Sequence, residues 1–149
     1  MRIPTLEIGT AESMAYCSPV QKLIAMVLLL AIKDRATEVH IQSKQNQSRL
    51  FYIIRGAAIE LVPPPPMIAP QVIRSFQAAA ELDLPSFRNE TQNRIQLKIG
   101  DHFVSLLVEI LTIEEGKEAI IRFPDSVDLS EMARKVLNSW LERARQSPA

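Results

Sequence analysis

The side chains that most often bind metals or act as nucleophiles are scarce in this chain of 149 residues. The two histidines, His40 and His102, are far apart in the sequence, and neither belongs to a spaced ligand set such as HxxxH. The single cysteine, Cys17, excludes an intramolecular disulfide and a zinc site made of cysteines. Serines and acidic residues are plentiful, but none lies in a GxSxG nucleophile motif. We therefore expect no catalytic residue, no metal and no cofactor, with a hydrolase site assembled only by folding as an alternative.

The glycines do not form a phosphate-binding loop. They are so widely separated that neither GxGxxG nor GxxxxGK[ST] can be written in this sequence. Gly116 and Lys117 are followed by Glu118, whereas a P-loop needs serine or threonine after its lysine. The sequence thus predicts a protein that is not an enzyme. The four glycines are Gly9, Gly56, Gly100 and Gly116.

Charge and hydropathy argue against nucleic-acid and membrane partners. The 17 basic side chains are balanced by 17 acidic ones, so no net field attracts nucleic acid or an anionic membrane. The apolar run from Leu23 to Ile32 has about ten residues, and roughly twenty are needed to span a bilayer. The first residues lack the apolar stretch of a signal peptide. We therefore expect a cytoplasmic protein without a membrane span.

Hydrophobic periodicity predicts three helices. The first is apolar nearly all round, as expected of a buried helix, and it begins with a capping-box pattern in which Ser18 and Gln21 flank Pro19. The last is amphipathic, with an apolar stripe that includes Trp140. The predicted helices run from Ser18 to about Asp34, from Pro70 to about Leu82, and from Asp128 to about Arg143.

Strand patterns predict about six strands in two three-stranded segments, and with the helices they indicate an α+β fold. The strongest signal is a hairpin over residues 36–56 that turns at Gln45, Asn46 and Gln47, because apolar and polar residues alternate along its first strand. Residues 1–17 are expected to form an extended lead-in, residues 18–124 the main domain, and residues 125–149 the terminal helix and tail. The remaining predicted strands are 57–62, 94–99, 102–110 and 118–123.

Several segments occur in an order that resembles one known family. ATEVHIQ at residues 36–42 resembles its ASDIHIE signature, and RLFYIIRG at residues 49–56 resembles RVRYRIDG. LDL at residues 82–84, ETQNRI at residues 90–95 and residues 108–117 correspond to its LDI, PQDGRI and VSTLPTxxGEK segments. Over residues 18–123 the chain resembles the N-terminal domain that precedes the RecA-like motor of type II secretion and type IV pilus assembly ATPases. The resemblance implies the fold of that domain, without the motor and its P-loop.

The departures from the family pattern concern its coupling to nucleotide. In that family, arginines of this domain point toward the nucleotide that the motor holds. The corresponding positions here are Phe51, Ile53 and Leu107, and Arg55 replaces an aspartate before glycine. The resemblance therefore implies an adaptor-like domain that no longer couples to ATP hydrolysis.

Replacing arginine by apolar residues is expected to create an interface. Phe51 and Ile53 share one face of their strand, and Phe103 and Leu107 share one face of another. If the two faces coincide, they form an apolar patch, which usually marks a contact surface. The terminal helix with Trp140 is expected to cover it, from the same chain or from a second copy.

The leading hypothesis is therefore a non-catalytic interaction module that binds a secretion or pilus ATPase, or an envelope-assembly component, or forms a homo-oligomer. The alternative is a regulatory domain that senses a nucleotide or another small ligand. Its site would use Arg49, Arg55 and Arg94, because arginines bind phosphate bidentately. This alternative requires that the three side chains converge.

Overall fold

The computed structural model describes residues 5–9, 14, 17–81, 91–123 and 128–146. Its described elements are three helices and a seven-stranded mixed sheet, which confirms the α+β fold. The two predicted three-stranded segments join into this one sheet, with the order β1-β5-β6-β7-β2-β3-β4. In chain order the elements are β1 (Thr5–Ile8), α1 (Pro19–Lys33), β2 (Glu38–Lys44), β3 (Gln47–Ile54), β4 (Ala57–Leu61), α2 (Ala69–Glu81), β5 (Thr91–Ile99), β6 (His102–Ile113), β7 (Gly116–Arg122) and α3 (Ser130–Gln146).

The strand missed by the sequence analysis is β1, which lies in the expected extended lead-in. It pairs in parallel with β5, and Ile8 lies opposite Ile99. Four residues are too few to show a convincing alternation, and the pairing partner is remote in the sequence. All other neighbouring strands in the sheet are antiparallel.

Helix α1 begins and ends as its local sequence dictates. The backbone N–H of Gln21 donates to Ser18 Oγ at 3.2 Å, and the backbone N–H of Ser18 donates to Gln21 Oε1 at 2.9 Å. This is the predicted capping box, and it satisfies amide groups that have no partner within the helix. At the other end, Asp34 is the C-cap, and Arg35 follows with a φ of 59°.

All three described helices pack on one face of the sheet, which we call the core face. Helix α2 contacts the central strands, and α3 lies against α1. The buried apolar side chains of the sheet alternate along their strands and form one cluster with the helices. The core-face residues of the central strands include Val39, Ile41, Leu50, Tyr52, Leu106, Val108, Ala119 and Ile121.

The opposite face of the sheet, which we call the open face, lies outside this cluster. The register places Leu107, Arg122, Glu38 and Ile53 in one row across β6, β7, β2 and β3. None of the apolar residues on this face, including Phe51 and Ile53, belongs to the core cluster or to the side chains packed against it. No helix or strand within the described ranges covers the open face.

Candidate interaction face

The centre of the open face is an aromatic stack between β2 and β3. His40 lies directly opposite Phe51 in the strand register, and their rings are parallel within 9° with centroids 4.6 Å apart. The guanidinium of Arg49 lies 4.3 Å from the centroid of the Phe51 ring. Phe51 is therefore only 8% exposed although it lies outside the core. Stacking and cation–π contacts fix these three side chains on the sheet.

Two carboxylates flank the imidazole. His40 Nε2 lies 2.8 Å from Glu38 Oε1, and His40 Nδ1 lies 3.4 Å from Glu118 Oε2. The second contact does not have hydrogen-bond geometry, so Nδ1 has no hydrogen-bond partner among the residues that the structure describes. Glu118 is buried and accepts a hydrogen bond of 2.6 Å from Gln42 Nε2. A buried carboxylate needs such donors, because removing it from water is costly.

Arg122 extends this cluster across the sheet. Its Nη1 lies 3.3 Å from Glu109 Oε1, and its Nε lies 3.6 Å from Glu38 Oε2. The polar side chains of β6, β7 and β2 therefore form one connected network. Members of such a network restrict one another's rotamers, so the face presents a preorganised pattern of charge.

The expected apolar patch is divided by these charges. Phe51, Ile53, Phe103 and Leu107 do lie on the same face, as the strand register shows. However, Arg122 of β7 and Glu38 of β2 separate Leu107 from Ile53 in their row. Only Phe103 is largely exposed, at 54%. The face is therefore a mixed aromatic and charged surface. The sequence analysis treated each strand separately, so it could not show that charged residues of β7 and β2 lie between the apolar ones.

Trp140 is not part of this face. Its Nε1–H donates to the carbonyl oxygen of Gly9 at 3.3 Å, and its ring packs against the core cluster. Ala133 and Leu137 of the same helix are buried. The terminal helix therefore does not cover the open face of its own chain, which was one of the two arrangements left open by the sequence. Helix α3 packs on α1, on the other side of the sheet.

The structure does not bring the three arginines of the nucleotide alternative together. Arg49 lies on β3 and Arg94 on β5, with β6, β7 and β2 between them. Four strand spacings of about 4.8 Å separate their backbones by about 19 Å. Arg49 is bound to Glu60, and this hydrogen bond is the main cause of a raised Arg49 pKa. Arg55 lies in the turn between β3 and β4 with a φ of 51°.

Two surface pockets among the described residues carry basic side chains, but neither contains more than one of these arginines. The first is bounded by the proline segment 63–66 together with Lys44 and Arg49. The second is bounded by Lys44, Arg74 and Lys117 near the start of α2. Neither pocket therefore provides the converging set that the nucleotide alternative requires.

The sequence analysis missed the residues that join the network, namely Gln42, Glu109, Glu118 and Arg122. The polar positions of β2 gave a partial signal, because they alternate with buried ones. The neighbours on β6 and β7 could be found only from the strand order. In the described part of the chain, no three His, Cys, Asp or Glu residues are grouped as metal ligands. No helix described here is both long enough and apolar enough to cross a bilayer.

The fold and the open face define an α+β structure built on one mixed sheet. A family model described as "Type II/IV secretion system protein" matches residues 14–139. The chain therefore belongs to this family, and the resemblance inferred from its motifs is confirmed.

Relatives from both secretion and pilus systems are similar to the chain. Type II secretion system protein E of Pectobacterium carotovorum subsp. carotovorum is 24% identical over 85% of this chain and 27% of its own length. Putative type II secretion system protein E of Escherichia coli (strain K12) is 29% identical over 75% of this chain and 23% of its own length. Type IV pilus assembly ATPase PilB of Myxococcus xanthus (strain DK1622) is 26% identical over 75% of this chain and 20% of its own length. The chain spans about a quarter of the length of these relatives.

Proposed function

We propose that this chain is a non-catalytic interaction module of a secretion or pilus assembly system, and that its open face binds the motor domain of a family ATPase in the cytoplasm. The observation that carries the proposal is the open face itself. It is a preorganised surface, centred on Phe51, His40 and Arg122, that no described element covers. Aromatic and arginine side chains are enriched at protein interfaces and among the residues that contribute most to binding.

The identity of the partner is suggested by the relatives. They are named as secretion proteins and a pilus assembly ATPase, and the match covers only 20–27% of their lengths. The part of such a relative that the match does not cover is a natural partner for the open face of this chain. The departures at Phe51, Ile53 and Leu107 suggest that contact persists while coupling to nucleotide is lost.

The charge pattern favours a protein partner. The open face carries five acidic and five basic side chains, so it has no bias toward a polyanion. Alternating charges instead favour one partner orientation, because like charges brought together are costly. The acidic residues are Glu7, Glu38, Glu60, Glu109 and Glu118, and the basic residues are Lys44, Arg49, Arg94, Lys98 and Arg122.

Binding to a purified motor domain of a secretion or pilus ATPase from the same cell tests this proposal. F103R and L107R place a cation on the open face and should weaken binding by about tenfold or more, since interface anchors contribute more than about 1.4 kcal/mol. L141R is the matched control, because Leu141 is exposed at 52%, close to Phe103 at 54%, but lies on α3. Absence of binding to any motor domain would overturn the proposal. Equal losses of affinity in all three variants would show that the open face is not the binding surface.

A further inference from the structure

Strand β4 forms one edge of the sheet and is paired on one side only. It follows β3 in the strand order and has no neighbour beyond it among the strands that the structure describes. Four of its five residues, Ala57 to Glu60, are exposed. An edge of this kind presents free backbone donors and acceptors, and it pairs readily with another strand.

The outward-pointing groups can be assigned from the turn before β4. Arg55 and Gly56 have φ values of 51° and 80°, which fits the two-residue type I′ turn of a tight hairpin. In such a hairpin the residues flanking the turn exchange both backbone hydrogen bonds, and the pattern then alternates. Ile59 therefore bonds to Tyr52 of β3, whereas the N–H and C=O groups of Ala58 and Glu60 point away from the sheet.

Between Ala57 and Leu61 the edge lacks three of the features that usually prevent strand pairing, namely a bulge, a proline and a lysine. The β3–β4 register runs from Ile54 opposite Ala57 to Leu50 opposite Leu61 without a bulge. The sequence AAIEL contains no proline and no lysine, and its single charge, Glu60, is already bound by Arg49. Ile59 within β4 is 41% exposed, and Val62, the first residue after the strand, is 89% exposed.

We propose that β4 pairs in an antiparallel manner with β4 of a second copy of this chain, about a two-fold axis at Ile59. Ile59 then faces the partner's Ile59. Ala58 faces the partner's Glu60, and Glu60 faces the partner's Ala58. Because these are the residues with outward-pointing backbone groups, the contact forms four main-chain hydrogen bonds and continues the sheet across both copies.

The neighbouring two-fold arrangements are less favourable. An axis at Glu60 brings two carboxylates directly opposite each other, which is destabilising. An axis at Ala58 places the turn residues Arg55 and Gly56 opposite the strand, where their left-handed backbone cannot extend the ladder. The formal net charge of the chain is zero, so no long-range repulsion opposes the approach of two copies.

Charge exchange at position 59 tests both the dimer and its register. The mass of the unmodified chain is measured by sedimentation over a concentration range, and a dimer is expected. I59K and I59E should each raise the dimer Kd by about tenfold or more, because like charges then face each other. An equimolar mixture of the two variants should restore the dimer. I59T is the matched control, since it keeps a β-branched, uncharged side chain and should dimerise.

A cysteine cross-link tests the same register independently of charge. In a C17S background, I59C should form an intermolecular disulfide on oxidation, because side chains at directly opposite positions have Cβ atoms about 4.5–5.5 Å apart. A57C is the control and should not cross-link, because Ala57 faces the partner's Leu61. Circular dichroism confirms that each variant is folded.

Three results would overturn the proposal. The chain could be monomeric at every soluble concentration, or its dimer could be unaffected by I59K and I59E. Protection of the Ala58 and Glu60 amides from hydrogen exchange only after addition of the motor domain would assign the edge to that partner instead. These outcomes do not depend on whether the open face binds the motor, because F103R and L107R report on that contact separately.

Discussion

Replacement of Tyr52 by phenylalanine should destabilise the fold and remove a specific part of its alkaline sensitivity. Tyr52 is 5% exposed on the core face of β3, and its hydroxyl donates a hydrogen bond to Asp34 Oδ2. Asp34 is the C-cap of α1, so this bond links the end of the buried helix to the sheet. A hydrogen bond to a charged group contributes about 1.5–3 kcal/mol. We expect Y52F to lower the free energy of unfolding by about 2 kcal/mol at neutral pH.

The pH dependence follows from the pKa of the same hydroxyl. Burial, the hydrogen bond to Asp34 and the charge of Asp34 raise the pKa of Tyr52 from 10.0 to about 12. The neutral phenol is therefore favoured in the folded state. Its stabilising contribution is complete below about pH 10 and is lost as the pH rises toward 12, because the unfolded chain releases its proton first. Two pH units at about 1.4 kcal/mol each give an upper limit of about 2.7 kcal/mol.

Urea unfolding of both proteins between pH 7 and pH 12 measures this effect, with Trp140 fluorescence and circular dichroism as probes. The lysines and the second tyrosine, Tyr16, are the same in both proteins. The difference between their free energies of unfolding therefore isolates the contribution of Tyr52. The advantage of the unmodified chain should shrink by about 2 kcal/mol between pH 10 and pH 12. A difference that stays constant over this range would refute the role assigned to the Tyr52 hydroxyl.

Three further predictions concern the sheet and the proposed lack of catalytic activity. G116A should lower the free energy of unfolding by more than about 3 kcal/mol, as measured by urea unfolding, because a Cβ there would lie 1.8 Å from the carbonyl oxygen of Ser43. At Gly100 nothing lies within 4 Å of such a Cβ, so the control G100A should lose only about 1 kcal/mol from the strain of its positive φ. Equal losses in the two variants would contradict this prediction. E118A should lower the free energy of unfolding by about 1–3 kcal/mol, because Gln42 loses the acceptor of its hydrogen bond inside a half-buried network. An unchanged free energy of unfolding would exclude a structural role for that network. The purified chain should release no phosphate from ATP and give no binding heat with ATP or cyclic dinucleotides at millimolar concentration. Measurable turnover would overturn the non-catalytic proposal, whereas saturable heat without turnover would favour the nucleotide-sensing alternative.

Local features were predictable wherever neighbouring residues in the sequence determine the structure. The capping box at Ser18 and Gln21 lies within one helical turn, and both of its hydrogen bonds are present. The turns after β3 and β5 contain Gly56 and Gly100, both with positive φ, which glycine adopts without a Cβ penalty. Helix α1 ends at Lys33, within one residue of the predicted Asp34.

The candidate face was predictable only in part. Alternation along single strands correctly placed Phe51 with Ile53 and Phe103 with Leu107, because side chains in a strand alternate with a period of two. The charges that separate these pairs come from β2 and β7, and β7 pairs with both β2 and β6. Trp140 was expected on a helix that covers this face from the same chain or from a second copy. Within the chain its helix packs on α1 instead, because an apolar stripe on a helix does not specify which surface it contacts.

The sequence alone determined the types of all described elements except β1, most of their boundaries and the family. Capping, turn formation and side-chain alternation are local, so nearby residues are sufficient to specify them. Only the tertiary structure decided the strand order, the parallel pairing of β1 with β5, and the His40–Glu118 contact between β2 and β7. Such contacts depend on the packing of segments that are remote in the chain. The same packing places all three described helices on one face, so that no described element covers the open face or pairs with the outer edge of β4.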